Sequence, residues 1–423
     1  MPGRRDLGLE GPVPSGSDFT YTGDVMPAIP NAYPPQRAFR AALGMLAAAC
    51  LACAQPAPGG QGSRNIQETL VSPEVHADRT VTFRLYAPKA SEVTLTGDWM
   101  ATLEARTGGT TKMTKGSDGV WTFTSPPLEP TIHLYFFTLD GLPIADPVNP
   151  LLKLRTRTSA SLVEVPGTPV PVWQPQQVPR GTVDYNCLHS AAYNDEHPFA
   201  VYLPPDYHKS TTRYPVLYLV HGGGDVYSSW VTAGAANVIL DNLIAQKKAV
   251  PMIVVMPFNG RNYPNLSPAS GAAAQAGEMP AFEQYMTQEL IPYIDSTYRT
   301  LTDRRNRAMA GLSAGGGATF NVGLKHTEIF SQFGFFSAGA VALPGTATRY
   351  PEFASAKTAE GKFDLIWISY GNQDPNHVGA EAFHAALTKN GVKHTYVTRD
   401  GGHVWPVWRW SLAEFASLLF RKN

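Results

Sequence analysis

Two patterns of hydrophobic and polar positions divide the chain. Between residues 71 and 165, short runs of alternating apolar and polar residues are bounded by Gly, Pro or Asp, which is typical of the strands of a β-sandwich. After residue 181, longer apolar runs alternate with helical segments, as in a mostly parallel sheet with helices on both faces. The strands predicted in the first part are 81–86, 93–96, 120–123 and 132–137.

The second part predicts repeated βα units. Residues 214–220, YPVLYLV, are a continuous apolar run suited to a strand that is buried on both faces. The further predicted strands are 199–203, 252–256, 308–310, 332–336, 365–369 and 394–398, and the predicted helices are 235–246, 281–293 and 408–421. The predicted domains are an all-β, immunoglobulin-like sandwich (71–165), a Pro-rich linker (166–180) and an α/β domain (181–423).

The N-terminal part of the chain, up to residue 70, predicts no folded domain. Two arginines precede residues 41–54, an apolar run that is too short to span a bilayer and ends in Ala-Cys-Ala, as in a secretory signal peptide. A buried alanine-rich helix is the alternative, and a lipoprotein signal acylated at Cys50 or Cys53 matches less well. The predicted segments are a disordered or mis-assigned extension (1–36), a signal peptide (37–54) and a linker (55–70), which imply a secreted or periplasmic protein.

The composition argues against some classes of function. The 34 Lys and Arg residues balance the 34 Asp and Glu residues, so the net charge indicates neither a nucleic-acid partner nor an anionic membrane. The three cysteines, Cys50, Cys53 and Cys187, are too few for a disulfide framework, and their spacing matches no zinc site. We expect no metal, no organic cofactor and no membrane span, and the oligomeric state stays open.

A short motif in the α/β part predicts a nucleophilic serine. Gly311-Leu312-Ser313-Ala314-Gly315 follows an apolar run and precedes further small residues. In a G-x-S-x-G elbow the serine is held in a strained turn between a strand and a helix, and a side chain two positions away on either side would collide with its neighbours. Because small residues are frequent in this chain, the prediction depends on the strand, turn and helix context.

A serine that attacks a carbonyl needs a base and an acid that orients the base. The predicted base is His403, in a glycine loop between a strand and the last helix. The predicted acid is Asp374, directly after the strand 365–369, with Asp400 as the competitor that lies closer to His403 in sequence. The chain order Ser, Asp, His is that of α/β-hydrolases, where ligands gather at the carboxyl ends of the strands.

Backbone N–H groups beside the serine are predicted to stabilise the oxyanion. One is the N–H of Ala314, and the other belongs to Gly222 or Gly223 in the HGGG loop that follows a buried strand. His221, in the same loop, is predicted to brace the loop rather than to act as a base.

Four tryptophans are candidates for contacts with substrate. Trp230 follows the HGGG loop and Trp405 follows His403, so both can lie near the serine and stack on an aromatic acyl group. Trp99 and Trp121, in the sandwich, can stack on sugar rings. Packing in a core or beneath a loop is the alternative for each of the four.

Several motifs, taken together, resemble a known family. In the α/β part they are LYLVHGGGD, ANVILDNLIAQ, PMIVVMP, AGLSAGGGATFNVGL and GVKHTYVTRDGGHVWPVWRWSLAEFASLLF. They resemble the esterase D or feruloyl-esterase-like branch of the α/β-hydrolases, carbohydrate esterase family 1. The resemblance implies an α/β-hydrolase fold, and it carries the family's nucleophile, acid and base over to Ser313, Asp374 and His403. The sandwich, with LYAPKASEVTLTGDW, GVWTFTSPPL and YFFTLDGLPIADPVNP, resembles an early-set domain close to glycogen-binding modules.

The resemblance implies a secreted serine carboxylesterase without metal or cofactor. Its expected substrate is a feruloyl or acetyl ester on a plant cell-wall polysaccharide such as xylan, or a small aryl ester. An enterobactin-type siderophore esterase is the alternative within enzymes, and a non-catalytic glycan-binding protein is the alternative from another class. We expect the β-sandwich to engage the polymer rather than to contribute to the chemistry.

Overall fold

Two packed β-sheets form the first domain. The computed structural model describes residues 66–102, 108–260, 279–338 and 350–421. The strands are β1 Glu74–Val75, β2 Val81–Tyr86, β3 Val93–Gly97, β4 Gly109–Lys112, β5 Thr114–Lys115, β6 Val120–Thr124, β7 Ile132–Leu139, β8 Leu142–Ile144, β9 Leu152–Lys153 and β10 Ala160–Glu164. One sheet has the order β1-β2-β6-β5 and the other β4-β3-β7-β10-β9, with β8 beside β7. The predicted immunoglobulin-like sandwich is confirmed.

The alternation of apolar residues places the core of the sandwich. Along β3 every second side chain is buried, as expected for a strand with one face toward the other sheet. Trp121 is buried and its Nε1 donates a hydrogen bond to the Ala87 carbonyl at 3.0 Å. The ring of Trp99 stacks on Phe83, with centroids 5.4 Å apart. Both tryptophans therefore pack in the sandwich, which is the alternative to sugar stacking.

An eight-stranded sheet forms the second domain. Its strands are β11 Thr182–Ser190, β12 Asp195–Leu203, β13 Val216–Val220, β14 Ile253–Pro257, β15 Arg307–Leu312, β16 Gln332–Phe336, β17 Leu365–Gly371 and β18 Thr395–Arg399. The order is β11-β12-β14-β13-β15-β16-β17-β18, and the strands from β14 to β18 run parallel. The predicted α/β-hydrolase fold is confirmed.

Helices cover both faces of this sheet. Their bounds are Ser229–Thr232, Ala236–Ala245, Ala314–Asn321, Ala356–Ala359, His377–Lys389 and Trp405–Leu418, together with residues 279–297, which include the π-helical stretch Tyr285–Leu290 and the α-helical end Ile291–Thr297. A further short helix, Ile66–Thr69, precedes the sandwich. The central strands β13, β14, β15 and β16 are buried along their whole length, in agreement with their continuous apolar sequences.

Two of the differences from the sequence prediction lie at the two ends of the α/β domain, and the sandwich also has the unpredicted strands β1, β4, β5, β8, β9 and β10. Strand β11 was not predicted; it pairs antiparallel with β12 at the edge of the sheet, and its half-exposed, polar sequence hides the alternation. The last helix begins at Trp405 rather than at residue 408, because Pro406 sits in its first turn, where the fixed φ of proline suits a helix start. The predicted segments 1–36 and 37–54, and residues 55–65, lie outside the described residues.

Arg409, on the last helix, joins the two domains. Its buried guanidinium donates to Thr131 Oγ1 at 3.0 Å and to the Ile132 carbonyl in the sandwich, and also to the Ala233 carbonyl in the α/β domain. Burial lowers the pKa of Arg409 to about 10, against the opposing effect of the Asp98 carboxylate. The side chain therefore stays charged at neutral pH and satisfies backbone acceptors from both domains.

The Pro-rich connection is docked on the α/β domain. Asn242 Nδ2 donates to the Val172 carbonyl at 2.7 Å and to the Gln174 carbonyl at 2.9 Å, and Gln174 Nε2 donates to the Val165 carbonyl at 2.9 Å. The described residues from 66 to 421 belong to one compact unit. No helix in the described ranges is long and apolar enough to cross a membrane.

Removing the Arg409 guanidinium should loosen the contact between the domains. In Arg409→Met, two carbonyls and one hydroxyl lose a buried charged donor, so we expect the free energy of unfolding to fall by about 2–4 kcal/mol. Denaturant midpoints measure the loss. Arg421→Met is the matched control, because Arg421 also donates to two carbonyls but is exposed. Equal destabilisation by both substitutions would contradict the bridging role of Arg409.

Candidate active site

Ser313 occupies a strained turn between β15 and the helix Ala314–Asn321. Its φ of 50° and ψ of −111° lie outside the regions that a residue with a side chain prefers. Its N–H donates to the Phe336 carbonyl at 2.8 Å, and its own carbonyl accepts from Gly317 at 3.0 Å. Such a backbone stores roughly 1–3 kcal/mol and persists only where the surroundings hold it. The turn is that of a nucleophile elbow.

The two motif glycines are needed for steric reasons. A β-carbon on Gly315 would lie 2.3 Å from the Val220 carbonyl oxygen and 2.6 Å from that of His221. A β-carbon on Gly311 would lie 2.4 Å from the carbonyl carbon of Gly315. Real β-carbons do not approach backbone so closely, so the helix can pack on β13 and β15 only without these side chains.

His403 and Asp374 form a buried pair at the carboxyl ends of the strands. His403 Nδ1 lies 2.9 Å from Asp374 Oδ2. Burial alone would raise the pKa of Asp374, but the hydrogen bond and charge of His403 and the N–H of Asn376 lower it below its ordinary value. The carboxylate is therefore ionised at neutral pH and holds the imidazole with its Nε2 available for proton transfer.

The other polar candidates have different partners. Asp400 is exposed and its Oδ1 accepts from Asn372 Nδ2 at 2.8 Å, so the structure pairs His403 with Asp374 instead. His221 is buried: its Nδ1 lies 2.8 Å from the Gly222 carbonyl, and its Nε2 accepts from the backbone N–H of Asn259 at 3.1 Å. His221 therefore braces the HGGG loop as a neutral imidazole.

Backbone donors lie beside the serine. Ala314 is the first residue of its helix, so its N–H has no acceptor within the helix. Gly222 passes close to the serine, since a β-carbon placed on it would lie 3.6 Å from Ser313 Cβ and 2.5 Å from Leu312 Cδ1. Gly222 and Gly223 both face the cavity that contains Ser313.

Both domains line this cavity, which has a volume of about 230 Å³. The α/β domain contributes Gly222, Gly223, Asp225, Leu312, Ser313, His403, Val404, Trp405 and Trp408. The sandwich contributes Thr96, Gly97, Asp98, Leu134, Phe136, Lys153, Arg155 and Ala160. Strands β3, β7 and β9 of the sandwich thus form one wall of the cavity that contains Ser313, and the expected engagement of substrate by the sandwich stays a prediction.

The sandwich also holds the HGGG loop. Lys153, on β9, is buried and forms an ion pair with Asp225, the residue that ends the HGGGD sequence. Burial lowers the pKa of Lys153, while the Asp225 charge opposes this. Next to this pair, the N–H of Thr156 donates to the Gly224 carbonyl at 3.0 Å. The loop with the predicted oxyanion donors is therefore fastened from the other domain.

The two tryptophans predicted at the substrate site differ in position. Trp405 lines the cavity, and Lys153 Nζ lies 5.5 Å from the centroid of its ring. Trp230 is fully buried behind it, with ring centroids 5.2 Å apart, and its Nε1 donates to the Val220 carbonyl at 3.1 Å. Trp230 is a packing residue, which corrects its prediction as a substrate contact. Trp408, which was not predicted, lines the cavity and packs edge-on against His403.

The fold and the serine turn define an α/β-hydrolase with an accessory β-sandwich. Residues 190–418 match the family profile of the esterases, and residues 71–143 match carbohydrate-binding module 48, the isoamylase N-terminal domain. Since the first match spans more than half of the chain, the chain belongs to the esterase family.

Two curated relatives are similar in sequence. An endo-1,4-beta-xylanase/feruloyl esterase of Xylanibacter ruminicola is 32% identical over 356 residues, which are 82% of this chain and 46% of that protein. Esterase Rv1288 of Mycobacterium tuberculosis is 32% identical over 133 residues, 31% of this chain and 26% of that protein. The chain thus spans about half or less of the length of these relatives.

Solved structures share the fold. A ferulic acid esterase is 27% identical with a TM-score of 0.50, over 57% of this chain and 98% of that one. The enterochelin esterase of Shigella flexneri is 18% identical with a TM-score of 0.60, over 80% of this chain and 91% of that one. Within the described residues, no group of three or more His, Cys, Asp or Glu side chains could hold a metal ion.

Breaking the Lys153–Asp225 pair should impair turnover more than substrate binding. In Lys153→Met, Asp225 is left as a buried unpaired charge and the HGGG loop shifts, and a displacement near 1 Å costs roughly a hundredfold in rate. We expect kcat for 4-nitrophenyl acetate to fall roughly tenfold to hundredfold with little change in KM.

A double-variant cycle controls this prediction. Lys153→Met with Asp225→Leu should be no worse than Lys153→Met alone, because the second change removes the unpaired charge. Lys115→Met, on β5 and outside the cavity, should keep the original kcat. An unchanged kcat in Lys153→Met would show that the ion pair does not position the loop.

His221 should make the protein less stable in mild acid. Burial lowers its pKa from 6.5 to about 4, with Lys153 and His197 acting in the same direction and Asp225 against it. Between pH 4 and pH 6.5 the unfolded chain binds a proton on His221 that the native state excludes. His221 therefore leaves the free energy of unfolding unchanged above pH 6.5 and lowers it as the pH falls toward 4. The loss attributable to His221 is on the order of 3 kcal/mol.

Urea unfolding at both pH values measures this effect. His221→Gln, which cannot titrate, should show a flatter pH dependence even though it is less stable at neutral pH. His208→Gln, at an exposed position, should keep the original slope. An identical slope in the His221 variant would refute the assignment.

Proposed function

We propose that this chain is a secreted serine carboxylesterase that removes acyl groups from plant cell-wall polysaccharide, with feruloyl as the favoured acyl group. The observation that carries the proposal is one cavity that contains a serine in a nucleophile turn together with a histidine hydrogen-bonded to a buried carboxylate. These are the parts that a Ser-His-Asp hydrolase needs.

In the proposed mechanism, Ser313 Oγ attacks the ester carbonyl while His403 Nε2 accepts its proton. The N–H groups of Ala314 and of Gly222 or Gly223 stabilise the oxyanion of the tetrahedral intermediate. His403 then gives the proton to the leaving alcohol, and Asp374 holds the imidazole in the required tautomer. Water activated by His403 cleaves the acyl-enzyme and regenerates the serine.

The aromatic side chains that line the cavity favour a substrate with an aromatic acyl group. Trp405, Trp408 and Phe136 line it, and Trp405 and Trp408 meet edge to face with centroids 5.3 Å apart. Such rings offer stacking and edge contacts that a feruloyl ring can use and an acetyl group cannot. The relative from Xylanibacter ruminicola, described as a xylanase/feruloyl esterase, supports the same substrate class and an extracellular location.

A siderophore esterase remains the second candidate. The enterochelin esterase of Shigella flexneri has the same fold over 80% of this chain, and a catechol ring would meet the same aromatic wall. This likeness concerns the fold, so the choice between the two substrates depends on activity measurements.

Replacing the serine should abolish esterase activity. Ser313→Ala and His403→Ala should each reduce hydrolysis of 4-nitrophenyl acetate by several orders of magnitude, on the order of 10⁴-fold or more, and the double variant should be no worse, because the triad acts as a unit. A fluorophosphonate should label Ser313 alone. Labelling of another serine would contradict the assignment of Ser313 as the nucleophile, and residual activity in Ser313→Ala would indicate another nucleophile.

Three substrates separate the candidate functions. Methyl ferulate, acetylated xylan and a catechol siderophore should be compared by kcat/KM, with Ser313→Ala as the blank for each. The highest value is expected for methyl ferulate, because the acetyl group of acetylated xylan cannot use the aromatic wall and the siderophore is the second candidate. A higher value for the siderophore would replace the polysaccharide assignment with the second candidate.

A further inference from the structure

One wall of the cavity carries a positive charge without a partner. Besides His403, the ionisable side chains that line the cavity are those of Asp98, Lys153, Arg155 and Asp225. Lys153 pairs with Asp225, while Asp98 accepts from a histidine Nδ1 at 2.7 Å and from a backbone N–H at 2.9 Å. Among the residues that the structure describes, no acceptor binds the Arg155 guanidinium.

The backbone of Arg155 is held at the HGGG loop while its side chain stays accessible. The next residue, Thr156, donates its N–H to the Gly224 carbonyl at 3.0 Å. Arg155 Nη2 lies 3.3 Å from the place that a β-carbon on Gly224 would occupy. The guanidinium thus lies over the glycine next to Gly223, at the exposed side of the cavity.

We propose that Arg155 binds a carboxylate of the substrate and makes the enzyme prefer esters that carry a negative charge. This inference rests on the proposed function, since it concerns the same cavity. A guanidinium presents a planar fork of N–H donors that matches the two oxygens of a carboxylate. The carboxylate lies either on the alcohol side, as in a uronic acid of the polysaccharide, or on the acyl side, as in a half-ester of a dicarboxylic acid.

The size of the effect follows from the exposure of Arg155. A charged hydrogen bond at a partly exposed site changes kcat/KM by about threefold to tenfold. Added salt screens such an interaction, so the preference should shrink as ionic strength rises. The charges of Lys153 and Asp225 oppose each other, so Arg155 is the cation of this wall that has no ion-pair partner among the described residues.

Two pairs of substrates, each with one charged and one neutral member of the same shape, test the inference. Carboxymethyl ferulate and carbamoylmethyl ferulate differ only in the charge of the alcohol. 4-Nitrophenyl hydrogen adipate and 4-nitrophenyl adipamate differ only in the charge of the acyl group. In at least one pair we expect the unaltered enzyme to favour the charged member by about threefold to tenfold at low salt, and the pair that responds identifies the side of the ester.

Variants connect this preference to one side chain. Arg155→Gln should bring the ratio of charged to neutral kcat/KM close to one, while Arg155→Lys should keep part of it. Arg157→Gln is the matched control, because Arg157 is exposed and lies outside the cavity wall, and it should keep the full ratio.

Two outcomes would overturn the inference. The first is equal loss on both members of a pair in Arg155→Gln, which would mean that the arginine shapes the wall or stabilises the oxyanion. The second is equal kcat/KM for both members in the unaltered enzyme. If the enzyme hydrolyses none of these four esters and does not hydrolyse methyl ferulate either, the proposed function itself would be overturned.

Discussion

Close contact between three backbone segments makes the serine turn possible. The helix that follows Ser313 packs against the last carbonyls of β13 and against β15, at distances where no β-carbon fits at Gly311 or Gly315. The surrounding sheet and helix therefore determine the conformation of Ser313 and keep its φ at 50° despite the strain. The same contact brings the HGGG loop, which continues β13, close to the serine, so the proposed nucleophile and the proposed oxyanion donors depend on the same backbone packing.

The accessory sandwich completes the cavity that contains the serine turn. Its contacts with the α/β domain include two buried cations, Lys153 at the HGGG loop and Arg409 on the last helix. A buried ion pair adds little net stability compared with apolar packing, but removal of one partner is strongly destabilising. Such contacts therefore disfavour other arrangements of the domains more than they strengthen this one. A cavity that is lined by two domains keeps its shape only if the domains hold one fixed arrangement.

The residues that could be predicted from sequence are those whose geometry is local. The elbow around Ser313 and the loop with His403 each follow a recognisable strand, and the proposed acid Asp374 follows another. Lys153 and Arg155 could not be predicted, because they lie in a short edge segment that shows no strand pattern, and only the fold brings them to the HGGG loop of the other domain. Spacing alone also could not separate Trp230 from Trp405, since only the packing decides which of the two rings faces the cavity.

In the proposed arrangement the chemistry belongs to the α/β domain, whereas both domains supply side chains that line the cavity. The strained serine, the proposed base and the backbone donors belong to the α/β domain, where small displacements affect the rate. Phe136 and Arg155 belong to the sandwich and line the cavity. Substitutions on that wall can therefore change which ester is accepted while the turn stays intact. A domain of the carbohydrate-binding type would then act on substrate choice at the cavity itself.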